Sequence, residues 1–170
     1  MNRRRAAALL VVATSFLCCV AVALALPPFT LGPKSAPPGG GIQSEAFKLG
    51  VACHPTFDRV TITVRFATPG YDVQYVNQIT ADSSGKDVFL MGHAKLRIIV
   101  RPTRGHSSGG TALLPNVVYP TPHACPNLKE VKVVGDSEAV LSLGVGLKQK
   151  KGFRIWRMYS PTRLIVDIAH

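Results

Sequence analysis

From Asp58 onward the chain alternates with a period of two, and that feature decides its fold class. Val60, Ile62, Val64 and Phe66 fall on one face of the first run; Arg59, Thr61, Thr63 and Arg65 fall on the other. Successive side chains of a strand point to opposite faces, so the pattern is that of a half-buried strand, which β-branched residues also favour. Alternation returns in Leu96, Ile98 and Val100 against Lys95, Arg97 and Arg101, and in Leu141, Leu143, Val145 and Leu147 against Ser142, Gly144 and Gly146. It returns again in Leu164, Val166 and Ile168 against Arg163, Ile165 and Asp167. Further short strands are read at 71–79, 88–91, 131–133 and 153–159. Turn chemistry separates them: Pro69-Gly70, and Asp82-Ser83-Ser84-Gly85, where Asp and Ser bond their own backbone and Gly accepts positive φ. Residues 103–126, rich in Gly, Pro, Ser and His, read as a long surface loop. Only 137–143 leaves a helical turn conceivable. The expectation is an all-β domain, a β-sandwich or open barrel of about seven to eight short antiparallel strands.

The N-terminus has the layout of an export signal. Arg3, Arg4 and Arg5 precede an uncharged run from Ala6 to Leu26, and Ala23-Leu24-Ala25 places small residues where a signal peptidase reads. Residues 1–25 are therefore a signal peptide cleaved after Ala25 or an uncleaved membrane anchor, since about 20 apolar residues suffice to cross a bilayer. Lipidation at Cys18 or Cys19 is a weaker reading, because Leu17 stands where a small residue is wanted. Residues 26–50 read as a Pro/Gly-rich linker: Pro27, Pro28, Pro33, Pro37 and Pro38 lack donors, Gly32, Gly39, Gly40 and Gly41 are costly to order, and no packed element is expected there. Residues 51–170 form the folded domain. The protein is thus expected outside the cytoplasmic membrane, secreted or in the cell envelope, and in contact with the membrane only through an uncleaved N-terminus.

Export changes two counts. The whole chain carries 20 Lys+Arg against 9 Asp+Glu; removing the first three arginines leaves 17 against 9, a net charge of +8. The cysteines fall to Cys53 and Cys125, which in an oxidising compartment are expected to form a disulfide. Cys53-His54 and His123-Ala124-Cys125 also hold the ingredients of a zinc site or a Cys–His nucleophile. Adjacent Cys-His is poor geometry for two ligands, thiolates compete badly with oxidation, and no nucleophile context surrounds them, so no metal and no cofactor is expected. Asp167 and His170 invite a catalytic reading, but a strand Asp is more often satisfied by arginine, with Arg59 and Arg163 natural partners. The nine acids are scattered, without the spacing of a glycosidase pair, and no phosphate loop or serine elbow is present. The chain is read as a non-enzyme.

The cations carry more information. Arg59 and Arg65 share one outward strand face, Lys95, Arg97 and Arg101 another, extended by Arg104, and Lys148, Lys150, Lys151 and Arg154 crowd a hairpin. A +8 domain outside a membrane meets anionic polymers and head groups, which such charge attracts in a salt-dependent way; ordinary solubilising charge is the plain alternative. Nucleic acid is not expected, because export removes it and the aromatics do not interleave with the cations. Trp156 is read as core packing in preference to stacking on a sugar.

Four segments carry a family resemblance: His54-Pro-Thr-Phe-Asp58-Arg59-Val60; Ser84-Gly85-Lys-Asp-Val-Phe-Leu-Met-Gly92; Glu138-Ala-Val-Leu-Ser-Leu-Gly144-Val-Gly146-Leu147; and Pro161-Thr-Arg163-Leu-Ile-Val-Asp167-Ile-Ala-His170. Over about 52–170 the chain resembles the AMIN-like domain of secreted proteins and lipoproteins of actinobacteria. That family is named for its likeness to the AMIN module of cell-wall amidases and some secretins. The resemblance implies a compact β-sandwich in which Asp58, Arg59, Gly85, Glu138, Pro161, Arg163 and Asp167 are structural motif residues. For the AMIN module the likeness also implies localisation to peptidoglycan or the division site, without catalysis; the AMIN-like group itself has no assigned biochemical role. The functional expectation is an exported binding module that holds peptidoglycan or anionic wall polymer through a basic face. The alternative is an adapter that docks another envelope protein by a strand edge or apolar patch.

Overall fold

The computed structural model describes residues 25–120 and 125–170. All but the last residue of the leader read at 1–25, with Cys18 and Cys19, falls outside them, as does His123. Eleven strands and no helix form among the described residues: β1 Lys34–Ala36, β2 Ser44–Cys53, β3 Phe57–Arg65, β4 Gly70–Val76, β5 Ala94–Arg101, β6 Thr103–Arg104, β7 Val117–Val118, β8 Leu128–Ser137, β9 Val140–Leu147, β10 Phe153–Met158 and β11 Arg163–Ala169. They make two open sheets, one ordered β1-β4-β5-β9-β8-β7 and the other β10-β11-β3-β2-β6. The short β2–β6 pair is parallel, and the other ladders are antiparallel. The architecture is the sandwich of the two expected forms.

The inward sets read from alternation are the core. Val60, Ile62 and Val64 of β3 and Leu164, Val166 and Ile168 of β11 face Leu96, Ile98 and Val100 of β5 and Leu141, Leu143, Val145 and Leu147 of β9, all at most 1% exposed. Burying each such side chain is worth about 1.5–3 kcal/mol, so register is fixed: a slip of one residue would move each set to the outer face.

Five local expectations are corrected. The segment at 26–50 does contain packed elements. β1 lies in it and pairs with β4, β2 begins in it, and Thr30 exchanges two backbone hydrogen bonds with Phe153 at 3.1 and 2.9 Å. Pro33, Pro37 and Pro38 spare these contacts because each falls beside a paired residue, not on one. Phe66 is not on the inward face of β3. The strand ends at Arg65, and Phe66 takes φ 75°, which turns its ring outward to 67% exposure. Residues 137–143 hold no helical turn: Glu138 and Ala139, at φ 51° and 61°, form the two-residue turn that suits the twist of the β8–β9 hairpin. Residues 88–91 are not a strand but part of a 77–92 strap across the outer face of the six-stranded sheet, where Ile79, Leu90 and Val134 form a second small core. The alternation of small residues in β9 makes room for it: a Cβ on Gly144 would lie 3.0 Å from Leu90 Cδ1, and one on Gly146 would collide with the Met91 carbonyl. Finally, Ile165 and Asp167 of β11, read as outward, are 2% and 0% exposed, because β11 lies between β10 and β3 and the long side chains of those strands close over it.

Candidate functional site

The outer face of the five-stranded sheet is laid out in rows by the strand registers. One row runs Ala52–Arg59–Asp167–Arg154, the next Gly50–Thr61–Ile165–Trp156, the next Lys48–Thr63–Arg163–Met158, and a fourth pairs Glu45 with Arg65. A bulge between Ala46 and Lys48 throws Phe47 outward beside the fourth row.

Two buried carboxylates anchor this face, each between two arginines. Asp167 Oδ1 accepts from Arg59 Nε at 2.6 Å, and Oδ2 accepts from Arg59 Nη2 at 3.0 Å, Arg154 Nε at 2.9 Å and Trp156 Nε1 at 3.3 Å. Burial would raise its pKa, but the two guanidiniums outweigh burial and hold the carboxyl below the usual carboxylate range. Glu45 accepts from Arg65 Nε at 2.7 Å and from Arg65 Nη2, and from Arg104 Nε and Nη2 at 3.1 and 2.9 Å. Its carboxyl is likewise pushed up by burial and pulled further down by its arginines. Each cluster keeps one net positive charge and lies at one end of β3.

Aromatic rings clasp both clusters. The Arg154 guanidinium lies 4.3 Å from the Phe29 ring centroid and 5.3 Å from that of Phe57, and the Arg59 guanidinium lies 5.0 Å from Phe57 and 5.4 Å from Trp156. At the far end Arg65 lies 5.6 Å from Phe47 and 5.1 Å from Phe66. Trp156 is therefore on the outer face and not in the core, and aromatics do interleave with cations here. The linear order hides half of these contacts, because Arg154 on Phe29 and Phe57 and Arg59 on Trp156 join distant parts of the chain, whereas Arg59 on Phe57 and Arg65 on Phe66 are local. Between the two ends lies a shallow depression lined by Lys48, Gly50, Ala52, Thr61, Thr63 and Arg163.

The remaining predicted cations lie elsewhere. Arg97 and Arg101 of β5 are on the outer face of the opposite sheet, paired with Asp82 at 2.9 Å and with Asp72, and Lys95 donates to the Asn77 carbonyl at 3.2 Å. Lys148, Lys150 and Lys151 occupy the β9–β10 loop, with Lys150 5.1 Å from the Tyr75 ring and Lys151 donating its N–H to the Tyr75 hydroxyl. The nine cations thus lie on two opposite faces and one loop. Glu45 and Phe47 escaped the sequence reading, Phe66 was read as inward, and Arg104, read as extending the Lys95–Arg97–Arg101 face, instead pairs with Glu45 on the opposite sheet; the Arg59-Thr61-Thr63-Arg65 face was the one visible signal.

Cys53 and Cys125 form the disulfide expected of them, with Cα atoms 5.0 Å apart, so their sulfurs are not free thiolates for the zinc alternative. Beside it, buried Asp58 accepts the N–H groups of Asn127 and Leu128 at 2.8 and 2.7 Å and fixes the start of β8. Other motif residues also serve the fold: Gly85 sits in a turn at φ 65° and Glu138 in the β8–β9 turn.

A family model of the AMIN-like domain matches residues 46–170, which is more than half of the chain. No curated protein and no solved structure matches it. The fold and the family match agree, and the chain belongs to the AMIN-like domain family.

Proposed function

We propose that this protein is an exported, non-catalytic module of the cell envelope. It holds peptidoglycan or another anionic wall polymer through the cations on the outer face of its five-stranded sheet and the adjoining β9–β10 loop. The observation that carries the reading is where the acids lie. Glu45, Asp58, Glu130 and Asp167 are at most 2% exposed, so four of the nine acids are withdrawn from a surface that keeps its lysines. Such a surface attracts polyanions. Family membership and the disulfide, a bond that persists in oxidising compartments, support placement outside the cytoplasm. Either fate of the N-terminal segment, cleaved or retained, fits this reading.

Co-sedimentation of the full-length protein with isolated cell walls tests it. Raising salt from about 0.1 M to about 1 M contracts the Debye length from about 10 Å to about 3 Å and should release most of the bound protein. Binding that does not change across that range counts against the reading. A second reading, an adapter for another envelope protein, is favoured by Phe89, 78% exposed on the strap. It predicts salt-insensitive binding to one defined protein and none to walls.

A further inference from the structure

We propose that the outer face of the five-stranded sheet is a track for one extended, carboxylate-bearing glycan strand; this rests on the envelope-binding reading above and names the site and the ligand class. The two aromatic–guanidinium clusters mark its ends. Arg59 and Arg65 are six residues apart on one strand, about 20 Å at roughly 3.3 Å per residue, which is the length of several linked sugars and not of a single ring. Sugar faces pack on aromatic rings, and both ends offer them: Trp156 at one, and at the other Phe47 and Phe66, 38% and 67% exposed.

The floor between them suits a thin, hydroxyl-rich chain. Gly50 and Ala52 keep it low, and Thr61 and Thr63 carry hydroxyls. β3 pairs with β2 and β11 on its two sides, so its backbone is not open to an added strand of peptide. Charge complementarity selects an acidic glycan. The guanidiniums at the ends are already held by Asp167 and Glu45, two to each carboxylate, whereas Lys48 and Arg163 flank Thr63 in a single row, and no carboxylate pairs with either among the described residues. The Arg163 Nε is buried and unpartnered. One row of two free cations over a flat floor takes one carboxylate, with the strand continuing to a ring platform on either side. Backbone strain points the same way: a phenylalanine at φ 75° is an uncommon conformation, and here it serves to hold an apolar ring in solvent.

Titration of the full-length protein, read by calorimetry, tests the track with three probes: a peptidoglycan tetrasaccharide of alternating N-acetylglucosamine and N-acetylmuramic acid, tetragalacturonate, and neutral chitotetraose. Both acidic probes are expected to bind more tightly than chitotetraose. Preference for the muramic probe assigns peptidoglycan as the source of the carboxylate, and equal binding of the two assigns acidic glycans in general. Lys48→Glu should weaken the preferred acidic probe about tenfold. Phe66→Gly, which keeps the local backbone conformation accessible, should weaken it severalfold with the thermal midpoint nearly unchanged. The track is overturned if neither acidic probe binds while whole walls still do, if chitotetraose binds as well as they do, or if both variants bind like the parent. Loss of wall binding by the unaltered protein defeats the envelope reading itself.

Discussion

Asp167 shows how much of this protein depends on single buried charges. Its carboxylate is fully buried between two arginines that remain 21% and 14% exposed. Replacing Asp167 with Asn leaves two guanidiniums facing a neutral group and should cost about 3 kcal/mol at pH 7, the low end for a broken buried pair because both arginines still touch water. The folded-state pKa is depressed, so the stabilisation is present above about pH 4 and disappears as the pH falls through the lowered value. Urea midpoints of parent and Asp167→Asn should therefore converge below about pH 4; a gap that stays constant into strong acid contradicts the pairing. Phe66 gives a second test. Any side chain bearing a Cβ is strained in the left-handed region, so Phe66→Gly should be more stable than Phe66→Ala by about 1 kcal/mol in thermal melts. The reverse order would place Phe66 in ordinary strand geometry. Alternation put Phe66 inside because period two says nothing about where a strand ends, and the Pro69-Gly70 turn signal lies three residues further on.

At the scale of elements, β3, β5, β9 and β11 could be read from the sequence because each sends one apolar set into the core between the sheets, and that is what alternation records; the second faces of β9 and β11 are covered as well, which alternation does not show. β1 and β2 could not. A bulge at Phe47 breaks the period of β2, and the prolines and glycines around β1 resemble a linker whenever the partner strand is not known. The strap at 77–92 was hidden for a different reason. A segment lying across the outside of a sheet has no period of its own, and its only trace is the small side chains beneath it. Gly146 is the sharpest of these. Gly146→Ala drives a Cβ into the Met91 carbonyl and should cost about 1–3 kcal/mol while loosening the strap. Hydrogen exchange should then speed up at the Ala81 and Val88 amides, which bond Lys86 and Ile79, more than at the core strands. Uniform acceleration throughout the molecule would show that the strap is not a separate layer.

For the whole molecule, the cysteine pair was legible from a count, because Cys53 and Cys125 alone remain once the N-terminal segment is set aside. The disulfide joins the end of β2 to the residues before β8 across a separation of 72, tying one sheet to the other, and the chain-entropy account assigns such a link about 4 kcal/mol. What composition does not carry is position: among the described residues, five of the ten connections between successive strands cross to the opposite sheet, so a charge read as part of one basic face can lie on either side of the sandwich. Lys48 and Lys95 are such a pair, one on the outer face of each sheet. Reversing either to Glu changes the net charge equally, so co-sedimentation of the two variants with isolated cell walls at about 0.1 M salt separates a sided site from general basicity. The account predicts that Lys48→Glu loses most of the bound protein and Lys95→Glu little; equal loss from both, or greater loss from Lys95→Glu, would contradict it.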